Sequence, residues 1–160
     1  MDHFQAVVVD YLRADRAVFV NTECCIQLNT GANPDTSGPH WYCDALAINL
    51  REKSVSLCEV TYSQSLDSLF RRLIGWGENW PALRKALVRD CNVPSDWLVQ
   101  PWVFIPSGLH PPLNTKLAKL PSIATGKSEM PVPKVTHLEE VVPWKYRSWN
   151  RIAEAQASGA

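Results

Sequence analysis

The sequence of 160 residues has no long apolar run and no excess of either charge. No apolar stretch reaches the ~18 residues that a membrane-spanning helix needs, and the N-terminal segment lacks a signal-peptide pattern. The 16 basic and 16 acidic residues cancel, so the chain as a whole has no bulk attraction to nucleic acid. It has no internal repeat and no low-complexity tract. With 46% hydrophobic residues, we expect one folded globular domain.

Paired-cysteine motifs are also missing. None of the five cysteines stands in a C-x-x-C pair, and most lie within apolar runs. This pattern is typical of reduced thiols that pack as small apolar side chains, which favours the cytoplasm. A zinc site of Cys43, Cys58 and His40 is the alternative, although no ligand spacing supports it.

The charges that are present are unevenly distributed. Residues 1–106 contain nine basic and twelve acidic side chains, a net charge of −3, whereas residues 107–160 contain seven and four, a net charge of +3. A basic tail on an acidic body indicates a polyanionic partner such as DNA. The alternative is a solvated surface without a target.

Hydrophobic periodicity predicts the order of the secondary structure. A helix is expected over 3–14, and a second helix from 65 to 90 with an interruption at Gly75-Trp76-Gly77. Strands are expected over 16–29, 41–50, 54–62 and 97–106, with a loop of turn formers over 30–40. Pro101 within the last strand indicates an edge position or a bulge. Because a helix joins the third and fourth strands, these strands should be parallel, giving an α/β domain with a four-stranded mixed sheet.

The last third of the chain has a different character. Residues 107–137 are punctuated by prolines and predict an extended arm. A final helix is expected over about 138–155, with Pro143 in its first turn. We therefore divide the chain into a core domain, 1–106, and an arm with a terminal helix, 107–160. The arm is expected to pack on the core or on a partner, including a second copy in a homo-oligomer.

Two carboxylates interrupt the apolar second and third strands. Asp44 and Glu59 stand among leucines and valines, and a buried carboxylate is costly unless it is paired or binds a metal. A two-residue turn at Glu52-Lys53 would place Asp44 opposite Thr61 and Leu46 opposite Glu59. Asp44 and Glu59 would then share a sheet face, about 7–8 Å apart, and could converge on one Mg²⁺ ion. A register slip by one residue would reverse this; an exposed face with two ordinary carboxylates is the alternative.

The same residues resemble a known family. Asp44, fourteen further residues and Glu59-Val60-Thr61 lie on a strand–turn–strand between two helices, which is similar to the PD-(D/E)XK nuclease superfamily. The stretches NTECCIQLN, YCDALAI and VSLCEVTYS are most similar to bacterial members of the MmcB-like DNA-repair type. The resemblance covers about two thirds of the chain. It implies an αβββαβ restriction-endonuclease-like core and cleavage of DNA.

The resemblance also implies roles for individual residues. Asp44 and Glu59 would bind Mg²⁺ (or Mn²⁺) beside the scissile phosphate, and Glu23 would be an additional acid near the metal. Thr61 stands where the family has a catalytic lysine, and a threonine hydroxyl cannot supply positive charge to the transition state. Residues that would supply this charge or contact the substrate lie on or before the following helices: Gln64, Arg71, Arg72 and Lys85. The alternative is an inactive nuclease-fold protein that binds nucleic acid or a protein.

The C-terminal segment PWKYRSWNRI interleaves aromatic and basic residues. Aromatic rings among cations can stack nucleobases while the cations neutralise phosphates. The alternative is a helix that packs on the body, with an inward face formed by Val141, Trp144, Ser148 and Ile152.

Overall fold

The structure, a computed structural model, describes residues 1–28, 40–120 and 129–154. Its helices are α1 (His3–Arg13), α2 (Asp67–Glu78), α3 (Trp80–Cys91) and α4 (His110–Ala118). Its strands are β1 (Val18–Gln27), β2 (His40–Asn49), β3 (Ser54–Val60), β4 (Leu98–Ile105) and β5 (Lys134–His137). The α/β class and the order of elements through β4 are confirmed. The loop expected over 30–40 lies, except for His40, outside the described residues.

The strands form one mixed sheet in the order β1-β2-β3-β4-β5. The first two pairings are antiparallel, whereas β4 lies parallel to both β3 and β5. The prediction of four strands is wrong, because Lys134–His137 pairs with the second half of β4. This pairing starts at Trp102, so Pro101 lies beside no described strand on that side, which agrees with an edge position for a residue without an N–H group.

Helices cover both faces of the sheet. On one face, α1 packs Val8, Val9 and Leu12 against small residues of β2 and against Phe104. On the other face, the larger core combines leucines of β2 and β3 with buried residues of α2, α3 and α4. The sheet is therefore buried on both sides through its middle, and a polar group there must find a partner within the protein.

Helix α1 begins with a capping box. The Asp2 carboxylate accepts a hydrogen bond from the Gln5 backbone N–H at 2.8 Å, and the Asp2 N–H donates to Gln5 Oε1 at 3.3 Å. Each of these bonds satisfies a backbone N–H group that the first turn of the helix would leave without a partner. As a result, the Gln5 amide has a fixed orientation, with its NH₂ group pointing away from the cap and toward the sheet.

Helix α2 continues through Gly75-Trp76-Gly77 to Glu78, and the interruption lies at Asn79, before α3 begins at Trp80, so the predicted position of the interruption is wrong. Two glycines weaken an isolated helix, but here tertiary packing decides the conformation. Trp76 is fully buried, and Trp41 of β2 lies directly against Gly75. The helix ends at Asn79, whose side-chain amide donates to the Gly75 carbonyl at 2.8 Å.

Replacing Gly75 by Ala is expected to destabilise the protein by about 1–3 kcal/mol. An added Cβ would lie 2.0 Å from Cη2 of Trp41, so the indole ring would have to move, which outweighs the gain of about 1 kcal/mol in helix propensity. Urea unfolding followed by circular dichroism measures the change. Gly108→Ala is the matched control, because no atom lies within 4 Å of its added Cβ. Equal stability of the two variants would contradict the contact.

The C-terminal third belongs to the same core and is not a simple extended arm. Pro111 and Pro112 stand in the first turn of α4, where proline is tolerated, and Leu109, Leu113 and Leu117 pack against the core at a helical spacing of four residues. These three leucines are a helical signal that the surrounding prolines obscured. The described part of residues 107–160 thus completes the core of the first part.

The terminal helix predicted over 138–155 is wrong for the described residues up to 154. Single 3₁₀ turns cover Leu138–Glu140 and Pro143–Lys145, followed by a turn closed between Ser148 and Arg151. Pro143 explains the break, since the preceding Val142 is extended, as a residue before proline prefers. The Glu139 carboxylate accepts from the Ser107 N–H at 3.0 Å.

The described helices include none that is long and apolar enough to cross a membrane. All five cysteines are free thiols. Cys43 and Cys58 pack in the cores on opposite faces of the sheet, so the zinc site that would join them with His40 is not formed.

Candidate active site

The hairpin between β2 and β3 has a longer turn than predicted. The last paired residues are Asn49 and Ser54, so four residues, not two, form the turn. The Asn49 side-chain oxygen accepts from the backbone N–H groups of Arg51 and Glu52 at 3.1 and 3.0 Å, and Lys53 has a left-handed backbone with φ of 52°. This local side-chain contact, which strand patterning does not reveal, selects the four-residue turn.

The longer turn shifts the register by two residues. Leu46 lies opposite Leu57 rather than Glu59, and Ala45 lies opposite Cys58 at the end of the ladder. A shift by two keeps every side chain on its face. Asp44 and Glu59 directly follow the last pair of the ladder, one on each strand, and their side chains are close enough for a hydrogen bond.

A backbone irregularity marks the position of Asp44. The β1–β2 ladder pairs Thr22 with Ala45 and Cys24 with Cys43, but it omits Glu23 and Asp44, and Glu23 has φ of 51°. Ala45 packs in the core on the α1 face, whereas Cys43 packs in the core on the opposite face, so the alternation of side chains reverses at this point. A non-glycine residue in this conformation costs about 1–3 kcal/mol, a cost found most often at functional sites.

Asp44 is held by donors from two other elements. Its Oδ1 accepts from the Gln5 side-chain amide on α1 at 2.9 Å, and its Oδ2 accepts from the Val60 backbone N–H on β3 at 2.8 Å. The residue is 8% exposed. Two donors fix the carboxylate in one orientation where β2 and β3 separate.

Glu59 is paired with a cation from the next helix. Arg72 Nη1 of α2 lies 2.7 Å from Glu59 Oε1, and the Arg72 guanidinium carbon lies 5.0 Å from the centre of the Tyr42 ring. The Glu59 side chain is buried, whereas 30% of the Arg72 side chain remains exposed. Arg72 therefore forms the boundary between the carboxylate pair and solvent.

The two carboxyls perturb each other's ionisation. Burial, and then the charge of Asp44, raise the pKa of Glu59 to about 8, against the lowering effect of Arg72. Burial also raises the pKa of Asp44, while the Val60 N–H, Arg72 and a hydrogen bond with Glu59 oppose the rise. Without a cation, two carboxyls this close favour a shared proton, and Glu59 is the residue that keeps it at neutral pH.

The other predicted site residues, apart from Arg72, lie outside this hydrogen-bonded pair of carboxyls. Glu23 is exposed, and its carboxylate pairs with the Met1 amine at 3.0 Å. Burial raises the pKa of Tyr42, and the charges of Asp44 and then Glu23 add to the rise. Thr61 follows β3, and its hydroxyl accepts from the Ser63 N–H at 3.3 Å. Three of the predicted substrate-binding residues are exposed and form no hydrogen bond or ion pair with Asp44 or Glu59: Gln64, Arg71 and Lys85.

Three groups of the site were missed by the sequence analysis: Gln5, Tyr42 and the Val60 N–H. The capping box of α1 is a sequence signal that fixes Gln5, but nothing local indicates that its amide faces β2. The reversal at Glu23 and Asp44 changes which side Tyr42 faces, so strict alternation along β2 misplaces it. The Val60 N–H becomes a donor to Asp44 only because the ladder ends at Cys58.

The donor set fits a hard divalent cation. Mg²⁺ is usually held by one or two carboxylates, with water and substrate phosphate oxygens completing its octahedron, and Asp44 and Glu59 are two carboxyls of this chemistry. Among the described residues there is no cluster of three or more histidine, cysteine, aspartate or glutamate side chains that could hold a metal. A site of this kind would therefore depend on substrate and solvent for its remaining ligands.

No protein-family model matches the chain, and no curated protein has a matching sequence.

Proposed function

We propose that the protein hydrolyses DNA phosphodiester bonds with a divalent cation, as a nuclease of the PD-(D/E)XK type on a restriction-endonuclease-like core. The observation that carries the proposal is the buried Asp44–Glu59 pair with Arg72 on its solvent side. Burying two carboxyls side by side is unfavourable, and a bound cation removes that cost. The observed order of helix, three strands, helices and strand supports the same proposal.

Asp44 and Glu59 would hold Mg²⁺ or Mn²⁺. When bound, the cation supplies positive charge beside the scissile phosphate and favours ionisation of a water. Gln5 and the Val60 N–H keep Asp44 in a fixed orientation, so little reorganisation is needed when the cation binds. Glu59, with a pKa of about 8, exchanges its proton near neutral pH, and it is therefore ionised readily when a cation replaces that proton.

Arg72 takes the role of the missing lysine in this proposal. Its guanidinium lies within hydrogen-bond distance of Glu59 and is partly exposed, so it can also contact a phosphate bound in front of the pair. A guanidinium carries a permanent positive charge and several donors suited to phosphate oxygens. This charge stabilises the developing anion that Thr61 cannot stabilise.

Nicking of supercoiled plasmid tests the proposal. The wild-type protein is expected to nick DNA with Mg²⁺ or Mn²⁺ and to stop when EDTA is added. Arg72→Gln should lower the rate by about 10²–10³-fold, and Arg72→Lys should retain an intermediate rate. Arg71→Gln is the matched control, since Arg71 is the exposed neighbour on the same helix. Equal rates for Arg72→Gln and Arg71→Gln would contradict the role of Arg72.

A non-catalytic, DNA-binding protein is the second candidate. It is favoured by Thr61 and by Arg72, whose guanidinium already supplies positive charge beside Glu59. In that case the wild-type protein would bind DNA in a gel-shift assay but would not nick it with any divalent cation.

A further inference from the structure

An exposed tryptophan lies on an ordered turn near the C-terminus. Trp149 is 78% exposed, and the neighbouring Trp144 and Ile152 are 52% and 83% exposed. The predicted inward face with Trp144 and Ile152 is therefore wrong. Large apolar side chains grouped on a surface indicate a binding site, because exposing an indole to water contributes nothing to folding.

The turn is fixed by several hydrogen bonds. Ser148 and Arg151 exchange backbone hydrogen bonds at 2.9 and 3.3 Å, and the Ser148 hydroxyl donates to the Asn150 side-chain oxygen at 2.9 Å. The Glu154 N–H donates to the Trp144 carbonyl at 2.9 Å. Trp149 and Asn150 thus form a two-residue turn between Ser148 and Arg151, which are joined by two backbone hydrogen bonds. Because the backbone at Trp149 is fixed in this way, a ligand that binds the indole has only the side chain to order.

Arginines from three parts of the chain surround Trp149. Two shallow cavities, of about 250 and 550 Å³, share Trp149 in their walls. Their cationic lining residues are Arg13, Arg16, Arg51, Arg147 and Arg151. We call Trp149 and these five arginines the Trp149 patch.

The Trp149 patch has an excess of positive charge. The acidic residues that line the same two cavities are Asp10 and Asp15, and Asp15 is paired with Arg51 at 2.8 Å. Arg13, Arg16 and Arg147 are exposed and have no ion-pair partner among the residues that the structure describes. Unpaired arginines around an exposed indole match a ligand that carries both anionic groups and flat rings.

We propose that the Trp149 patch binds single-stranded DNA, with one unpaired base stacked on Trp149 and the neighbouring phosphates on the arginines. The choice of DNA as the polyanion rests on the proposed function. A single strand is favoured over a duplex because only unpaired bases offer a free face to an indole. The patch lies at the far end of α1 from Gln5, about 12 Å along the helix from the residue that holds Asp44. Binding at Trp149 is therefore separate from the carboxylate pair.

Fluorescence anisotropy measures this binding with a labelled oligo(dT) of twelve nucleotides. The buffer contains EDTA and no divalent cations. Trp149→Ala is expected to weaken it by about five- to a hundredfold, and Trp149→Phe should restore most of it. Phe19→Ala is the matched control, since Phe19 is also a largely exposed aromatic residue, at 60%, and lines neither cavity. It should bind as the wild type does. Circular dichroism checks that each variant is folded.

The salt dependence separates stacking from phosphate contacts. Trp149→Ala should leave the slope of log K against log salt unchanged, whereas Arg147→Gln should reduce its magnitude by about 0.7. The proposal is overturned if Trp149→Ala binds as tightly as Phe19→Ala, or if a twelve-base-pair duplex competes as well as oligo(dT). The anisotropy assay contains EDTA and no divalent cation, so its result does not depend on nicking, and loss of nicking and loss of this binding are distinguishable results.

Discussion

The Asp44→Asn protein is expected to lose Mg²⁺-dependent nicking by about 10³-fold or more. A divalent cation contributes several kcal/mol to stabilising charge in phosphoryl transfer, and about 1.4 kcal/mol corresponds to each tenfold in rate. Asn removes one of the two carboxylates that the described structure offers to a cation, and its amide leaves the remaining Glu59 as a single charged ligand. The loss should therefore appear at every Mg²⁺ concentration at which the wild type is active.

The fold should survive this substitution. Asp44 accepts hydrogen bonds from Gln5 and from the Val60 N–H, and the Asn side chain has only one oxygen to accept them. The unsatisfied donor costs about 1–3 kcal/mol, partly offset because Asn carries no buried charge. Circular dichroism and urea unfolding check that the variant is folded at the assay temperature.

Two further variants make the result specific. Glu59→Gln should lose nicking to a similar extent, since it removes the other ligand. Asp67→Asn should nick as the wild type does, because Asp67 is an exposed carboxylate that pairs with Lys116 at 3.2 Å, away from the pair. Wild-type activity in folded Asp44→Asn would exclude the carboxylate pair as the metal site, and equal inactivity of all four proteins would favour the non-catalytic alternative.

The parts of the site that the sequence predicts are those governed by strand periodicity. The four-residue turn shifts the register by two residues, a full strand period, so Asp44 and Glu59 remain together where the β2–β3 ladder ends. The reversal at Asp44, which periodicity does not predict, turns its carboxylate toward Gln5 of α1. The following helices carry three candidate cations, Arg71, Arg72 and Lys85, and the sequence does not choose among them. Only the packing of α2 against β2 and β3 selects Arg72.

The parts that were missed depend on tertiary contacts or on local exceptions to periodicity. The left-handed residue Glu23 reverses the alternation of two strands at once, and a glutamate carries no signal for such a conformation. The fifth strand is four residues long and follows a proline-rich segment, so its pattern is too short to recognise without the β4 edge that it covers. Likewise, Gly75 lies inside α2 and does not end it, because the helix packs there against the ring of Trp41. The sequence shows the glycine but not this tertiary contact.

The free energy of unfolding of the wild-type protein is expected to fall as the pH rises from about 5 to 8. In the Glu59→Gln protein, this fall is expected to be absent. Glu59 has a pKa of about 8 in the folded protein, against an ordinary value of 4.5. Between these values the folded protein holds a proton that the unfolded chain has released, so raising the pH favours unfolding. At about 1.36 kcal/mol per pH unit, the ceiling of the effect is roughly 5 kcal/mol.

The comparison of the two proteins isolates Glu59 from other titrating groups. Gln reproduces the shape and neutral charge of protonated Glu59 and can still accept from Arg72. The two proteins should therefore have similar free energies of unfolding at pH 5, and Glu59→Gln should be more stable by a few kcal/mol at pH 8. Urea unfolding at half-unit pH intervals measures both curves. Parallel curves would show that Glu59 ionises normally in the folded protein.

Mn²⁺ should restore the stability that the wild-type protein loses as the pH rises. A cation that binds the ionised pair displaces the proton on Glu59, so its affinity should rise with pH up to about 8. At a concentration about one hundred times its dissociation constant, a ligand stabilises the folded state by about 2.7 kcal/mol. The gain should be large at pH 8, small at pH 5 and absent in Asp44→Asn. Equal stabilisation of the wild type and Asp44→Asn by Mn²⁺ would place the cation elsewhere on the protein, and the raised pKa of Glu59 would then reflect burial beside Asp44 without a metal-binding role.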